Sequence, residues 1–265
     1  LPTPYTTMIF DIDNTITDTT KSIEDEMLKE LFFFLDQGVH IALVTVQAKD
    51  EVYKHIVEPI CEKHNNQKLL LKNLVIYPAG GAQCYRFDEN GDLIDKPAYD
   101  ALKNTVFEID QDGVKKKIET ILGPGVRVNL KRDRYGVISI DKVSNRPQAI
   151  ADLTNLFIEN GWHLIPRLGG RATIHVLIGG VSKAKAAEHF LKMAEVSFGQ
   201  SIPIEQVLFI GDSFYAGGLD ADVISALPGA HIVSVGRKST GSDLQELQTK
   251  GVRFSEDLVN DRNQS

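Results

Sequence analysis

Cysteine is scarce in this chain. There are two in 265 residues, Cys61 and Cys84, far apart. They form no CxxC pair and no zinc-ligand spacing with the seven histidines, so neither a disulfide framework nor a structural zinc site is expected. A reducing, cytoplasmic compartment fits that usage. Excess positive charge is also missing: 36 acidic residues against 29 basic ones leave a formal charge of −7. That balance argues against nucleic acid or an anionic membrane surface as the main partner. No apolar run approaches the ~18 residues of a membrane span; the greasiest stretches, such as Leu31–Leu35, are far shorter. No basic segment followed by an apolar one opens the sequence, so no signal peptide is expected. Repeats and low-complexity tracts are absent as well.

What is present is an ordinary globular composition, 42% hydrophobic and 25% charged, enough to bury a core without staples. Its patterning falls into three stretches. Tyr5–Asp11 and His40–Thr45 are unbroken apolar runs, the signature of strands covered on both faces. Helical patterns fill Ser22–Gln37 and Lys49–His64 between them, and Asn73–Tyr77 reads as a third strand. Strand and helix in alternation predict a doubly wound, mostly parallel α/β sheet. From Gln83 the pattern changes. A hairpin turning at Glu89-Asn90-Gly91-Asp92 is followed by strands near Arg127, Gly136, Trp162 and Ala172, with a helix over Arg146–Asn160. The first pattern returns after Gly180, with a helix from Ser182, a strand Gln206–Ile210, a helix near Leu219 and a strand His231–Val235. These patterns predict a Rossmann-like core of residues 1–81 and 182–265, interrupted by an inserted α+β cap of residues 82–181.

Four features carry chemistry. Asp11-Ile12-Asp13-Asn14-Thr15 follows the first strand, at the sheet edge where open α/β folds bind ligands. One carboxylate there suits a nucleophile and hard metal ligand, the other a general acid and base; the plain alternative is an acidic loop capping the next helix. Gly211-Asp212-Ser213, with Gly217-Gly218-Leu219-Asp220 behind it, ends another strand and offers a carboxylate of the kind Mg²⁺ takes. A turn aspartate would look the same. Thr45 ends the second strand, where its hydroxyl can reach a phosphoryl oxygen or simply finish the strand. Lys183 opens a helix, a position the helix dipole disfavours for a cation; it implies an anion nearby or a solvated lysine, with Lys185 as a rival.

Taken in order, these four segments resemble the signature motifs of the haloacid dehalogenase-like superfamily, over nearly the whole chain. The insertion between the second and third motifs is similar to a type C2 cap, and Tyr77-Pro78-Ala79-Gly80-Gly81-Ala82 resembles the core-to-cap crossing of Cof-type sugar phosphatases. Asp11–Thr17, Gly217–Asp220, Arg134 to Arg146 and Arg167 to Thr173 also resemble segments of eukaryotic-type phosphomannomutases. Asn14 stands in place of the usual glycine, Thr45-Val46-Gln47 differs from the second motif of both groups, and His175 replaces a sugar-binding aspartate.

The resemblance implies a Mg²⁺-dependent phosphatase acting on a small phosphorylated metabolite, such as a sugar phosphate, through an aspartyl-phosphate. Asp11 would be the nucleophile and Asp13 the general acid and base. Thr45 and Lys183 would bind phosphoryl oxygens. Asp11, the backbone carbonyl of Asp13, and Asp212 would hold the metal. Asp220 would orient Lys183 or a metal-bound water, supported by Ser213. Arg134, Arg146 and Thr173 would contact substrate, while Tyr215, His175 and Trp162 are assigned to packing. The alternatives are a phosphohexomutase and a catalytically silent binding protein on the same fold. A monomer or homodimer is expected, with neither nucleic acid nor membrane as partner.

Overall fold

The computed structural model describes residues 5–18, 21–63, 65–94, 97–101, 110–130, 137–169, 173–199, 201–235, 248–249 and 251–254. The largest element is an eight-stranded sheet. Its strands are β1 (Thr7–Asp11), β2 (His40–Val44), β3 (Leu74–Tyr77), β4 (Gln83–Arg86), β5 (Tyr99–Asp100), β10 (Val207–Gly211), β11 (His231–Ser234) and β12 (Val252–Phe254), in the order β12-β11-β10-β1-β2-β3-β4-β5. From β12 to β3 every pairing is parallel, whereas β3–β4 and β4–β5 are antiparallel. β1 is buried along its whole length. From β1 the order runs outward to β2 and β3 on one side and to β10 and β11 on the other, so the connections leave a crevice at the carboxyl end of β1 and β10.

The two-residue period of a strand explains how apolar runs without polar interruption sort into two cores. Met8 and Phe10 of β1, with Ile41, Leu43, Leu74 and Ile76, pack against α1 (Asp25–Asp36) through Leu28, Leu31, Phe32 and Leu35. The intervening Ile9, Ala42, Val44, Val75 and Tyr77 face the other way, onto Ala186, Ala187 and Phe190 of a helix near the C-terminal half, Lys183–Phe198. Each fully buried Leu, Ile or Phe in these layers stabilises the fold by roughly 1.5–3 kcal/mol.

The helix expected over Lys49–His64 is divided into α2 (Lys49–Val52), a π-helical turn (Tyr53–Val57) and α3 (Glu58–Lys63). The Glu58 N–H reaches back to the Tyr53 carbonyl, and the next residue, Pro59, has no N–H to donate. α1 starts later than its serine suggests. Ser22 Oγ is 3.4 Å from His55 Nδ1 and Ile23 N–H donates to the His55 carbonyl, so this segment is fastened to the π-turn before the helix begins.

A second, four-stranded antiparallel sheet contains β6 (Arg127–Asn129), β7 (Val137–Asp141), β8 (Leu164–Leu168) and β9 (Ile174–Ile178), in the order β6-β7-β9-β8. One face is covered by α4 (Gln111–Leu122) and α5 (Arg146–Glu159), where Val114, Ile118, Leu153 and Phe157 meet Ile138, Ile140, Ile174 and Val176. β4 and β5 lie within the 82–181 segment yet hydrogen-bond into the large sheet, because β4 folds back on β3 at Ala79–Gly81 and brings Tyr85 and Phe87 onto the α1 core. The hairpin turn itself closes at Asp88–Asp92, with the Phe87–Leu93 bridge at its neck. The chain then returns to the large sheet through α6 (Lys183–Phe198), β10, α7 (Ala221–Ala226) and β11. No described helix is long and apolar enough to cross a membrane.

Candidate active site

At the carboxyl end of β1 the backbone turns sharply. Asn14 sits at φ +59°, the left-handed region that asparagine tolerates better than branched residues. Its N–H donates to the Thr17 carbonyl, closing a loop that carries Asp11 and Asp13. Asparagine therefore serves where the resembling families use glycine, and it adds a side chain that hydrogen-bonds Asp212.

Lys183 is the first residue of α6, behind the N-cap Ser182, and its side chain is 2% exposed. Its ammonium lies 2.7 Å from Asp11 Oδ1 and 2.7 Å from Asp220 Oδ1. Lys185 points elsewhere and pairs with Glu188 on the helix surface. Asp220 is fully buried; its other oxygen, Oδ2, accepts the Ser213 N–H at 2.9 Å. Gly211 permits that approach, since a Cβ there would fall 2.5 Å from Asp220 Oδ2. Ser213 Oγ in turn donates to Asp212 Oδ1 at 2.7 Å.

Two carboxylates thus share one ammonium, with a third, Asp212, beside them. Burial of the Asp11 carboxylate, helped by Asp220 and Asp212, outweighs the opposing Lys183 and pushes its pKa well above the usual range. Burial also raises that of Asp212. Burial works against the charged Lys183, but Asp11 and Asp220 more than offset it and hold the ammonium above its ordinary pKa. Asp11, Asp212 and Asp220 each bring an oxygen within 4.8 Å of the others. A hard divalent cation suits this all-oxygen, excess-negative set. Asp220 already spends both oxygens on Lys183 and Ser213, which leaves Asp11 and Asp212 as the better side-chain ligands. The Asp13 carboxylate is not in that group; its Oδ1 accepts from Gln47 Nε2 at 2.7 Å.

These residues line one cavity of about 390 Å³ between the two sheets. Asp11, Asp13, Lys183, Asp212 and Ser213 form its core wall, and Asn129, Ser139, Asp141, Thr173 and His175 face them from the smaller sheet. Strand alternation puts Ser139, Asp141 and His175 on the cavity side while Ile138, Ile140, Ile174 and Val176 face the helices. The polar residues brace one another: Asn129 Nδ2 and Thr173 Oγ1 donate to Asp141 at 2.7 and 3.0 Å, and Ser139 Oγ lies 3.1 Å from His175 Nδ1. His175, assigned above to packing, therefore borders the cavity. Tyr215 donates through its hydroxyl to the Gly169 carbonyl at 3.0 Å, and Trp162 packs on Phe157.

Thr45 ends at the edge of β2, fully buried, with Oγ1 accepting the Gln47 N–H at 3.1 Å; it is not among the cavity-lining residues. Arg146 donates to the carbonyl of the lining residue Gly169 at 3.2 Å and is not itself among the cavity-lining residues. Arg134 lies outside the described residues. Three contacts fasten the small sheet to the core beside the cavity: Leu168 N–H to the Gly217 carbonyl at 3.0 Å, Tyr215 to Gly169, and the Arg167–Asp222 ion pair.

The polar lining residues Gln47, Glu51, His55, Asn129, Ser139 and Asp141 were not singled out for chemistry from the sequence. For Ser139 and Asp141 the alternation Ile138-Ser139-Ile140-Asp141 was the one available signal.

No family model and no curated protein sequence matches the chain. Solved structures do. An IMP-bound Plasmodium falciparum IMP-nucleotidase aligns with a TM-score of 0.63 at 19% identity, over 85% of this chain and 63% of that one, so the chain spans under two thirds of that protein. A haloacid dehalogenase-like hydrolase from Bacteroides thetaiotaomicron aligns at 0.60 and 13% identity, over 96% of each chain. A Thermoplasma acidophilum protein aligns at 0.61 and 15% identity, over 95% of this chain and 92% of its own. With motif-bearing loops at the ends of β1, β2 and β10, a lysine opening α6, and a second sheet inserted over the crevice, the chain has the haloacid dehalogenase-like fold.

Proposed function

We propose that the protein is a Mg²⁺-dependent phosphatase that hydrolyses a small phosphate monoester, a sugar phosphate or similar polyol phosphate, through an aspartyl-phosphate on Asp11. The observation that carries this reading is the buried Lys183 held between Asp11 and Asp220, with Asp13 and Asp212 bordering the same cavity. The phosphomonoester chemistry named for the structurally similar nucleotidase agrees with it.

The residues suggest the following sequence. Asp11 Oδ1 is held by Lys183 and by the Ile12 N–H at 2.8 Å, leaving Oδ2 to attack phosphorus. The Lys183 ammonium faces the negative charge that the phosphoryl group brings. Asp13 gives its proton to the departing alkoxide, then takes one from the water that cleaves the intermediate. Asp11 and Asp212, with the Asp13 carbonyl, would hold the cation, whose charge would offset that of the transferring phosphoryl group. The wall of Asn129, Asp141, Thr173 and His175 supplies neutral and anionic hydrogen-bonding groups, which suit hydroxyls on the leaving group. Enclosure between the sheets limits water at the reacting atoms.

The test is phosphate release from a panel of phosphorylated metabolites, with and without Mg²⁺. The reading expects Mg²⁺-dependent free phosphate, lost in Asp11→Asn. Hexose 6-phosphate formed from hexose 1-phosphate, with no free phosphate, would instead establish the phosphohexomutase.

A further inference from the structure

Gln47 lines the cavity, and the mechanism above leaves its chemistry unused. It is 5% exposed, and its backbone is pinned at both ends: its N–H donates to Thr45 Oγ1 at 3.1 Å, and its carbonyl accepts the Ala79 N–H at 2.8 Å. The side chain reaches across to give Nε2 to Asp13 Oδ1 at 2.7 Å. Its own oxygen, Oε1, is buried with no hydrogen-bond partner among the described residues. A buried acceptor left unpaired destabilises a fold. Methionine would fill the same space without that cost, so packing does not account for the amide. The bond to Asp13 does.

We infer that Gln47 is the positioning residue for Asp13, an inference that rests on the phosphatase reading. By committing Oδ1 to a donor, it fixes the carboxyl rotamer and leaves Oδ2 to handle the proton. In the first half-reaction the P–O bond to the leaving group breaks as Asp11 Oδ2–P forms, and the departing oxygen takes the proton from Asp13 Oδ2. In the second, water forms the new P–O bond, its proton goes to Asp13 Oδ2, and the Asp11 carboxylate leaves. Both halves need the same oxygen in the same place.

A structural role and a positioning role differ in how they depend on the leaving group. 4-Nitrophenolate departs without a proton; a sugar or alkyl alkoxide does not. Wild type and Gln47→Met are compared by rapid quench, reading single-turnover phosphorylation of the protein by 4-nitrophenyl phosphate and by an alkyl phosphate, with thermal melting to confirm folding. Gln47→Asn, which keeps an amide but withdraws it from Asp13, carries the same expectation should Gln47→Met not fold. The expected loss for the alkyl phosphate is about 10- to 100-fold, at least tenfold more than for the nitrophenyl ester. Equal losses on the two substrates, or none, overturn the inference while leaving the phosphatase reading in place. If wild type is phosphorylated by neither substrate, both fall together.

Discussion

Lys183→Met removes the cation that the structure pairs with Asp11 and Asp220, while keeping a side chain of similar length. The ammonium is 2% exposed and contacts two carboxylates that are themselves almost fully buried, so solvent does not screen the loss. Deleting one member of a buried ionic group leaves uncompensated charge and costs about 3–5 kcal/mol. For a chain of this size, each kcal/mol lowers the melting temperature by roughly 2–4 °C, so the variant should melt about 6–20 °C below wild type. The assay is differential scanning calorimetry at pH 7.5 in the presence of a chelator. The double variant Lys183→Met, Asp220→Asn removes one of the stranded charges and should recover part of the loss. A Lys183→Met protein melting within about 1 °C of wild type, with no recovery in the double variant, would refute the claim that this lysine balances the cluster.

Without divalent cation, stability should also depend on pH in a defined direction. Asp11 and Asp212 have raised pKa values in the fold, so the folded state holds protons that the unfolded chain has released. Stability then falls as pH rises from the ordinary aspartate range through those raised values, and Mg²⁺ should flatten the decline in a melting series; a metal-free profile that rises across that window contradicts the assignment. Phe190→Ala, at a fully buried position facing the central strands, should cost about 3–5 kcal/mol in urea unfolding, and a change below 1 kcal/mol would mean the α6 layer is loosely packed. Asn14→Val should destabilise more than Asn14→Gly, by about 1–2 kcal/mol, because only the former opposes the positive φ; equal effects in chemical denaturation would remove the backbone argument. Asp141→Asn should raise KM for polyol phosphates while leaving KM for 4-nitrophenyl phosphate within about threefold, and parallel changes on both would detach this carboxylate from leaving-group recognition.

The core of the site was legible because acidic residues follow apolar runs. Asp11 and Asp212 stand where strands buried on both faces end, and those runs need no knowledge of the partner elements. Lys183 could be picked out as a cation at a helix start, but only the fold decides between it and Lys185, since one side chain turns inward and the other lies on the surface. The substrate wall was harder to read. Ser139, Asp141 and His175 alternate with apolar neighbours, a pattern that a solvated strand face would give equally; it becomes a cavity only when α4 and α5 are seen to cover the opposite side. Gln47 carried no signal beyond its departure from the second motif, because its role lies in a contact to a residue 34 positions earlier. β4 and β5 followed the core sheet for a reason local sequence does not reveal: the Ala79–Gly81 turn folds the chain straight back onto β3 before the second sheet begins.

The most direct test of the central claim is chemical identification of the intermediate. The protein is mixed with 4-nitrophenyl phosphate and Mg²⁺, quenched in acid during turnover, digested and analysed by mass spectrometry. The account predicts one phosphorylated peptide, carrying the phosphoryl group on Asp11 and absent from Asp11→Asn. Turnover that persists in Asp11→Asn, or a phosphoryl group found on another side chain, would contradict it.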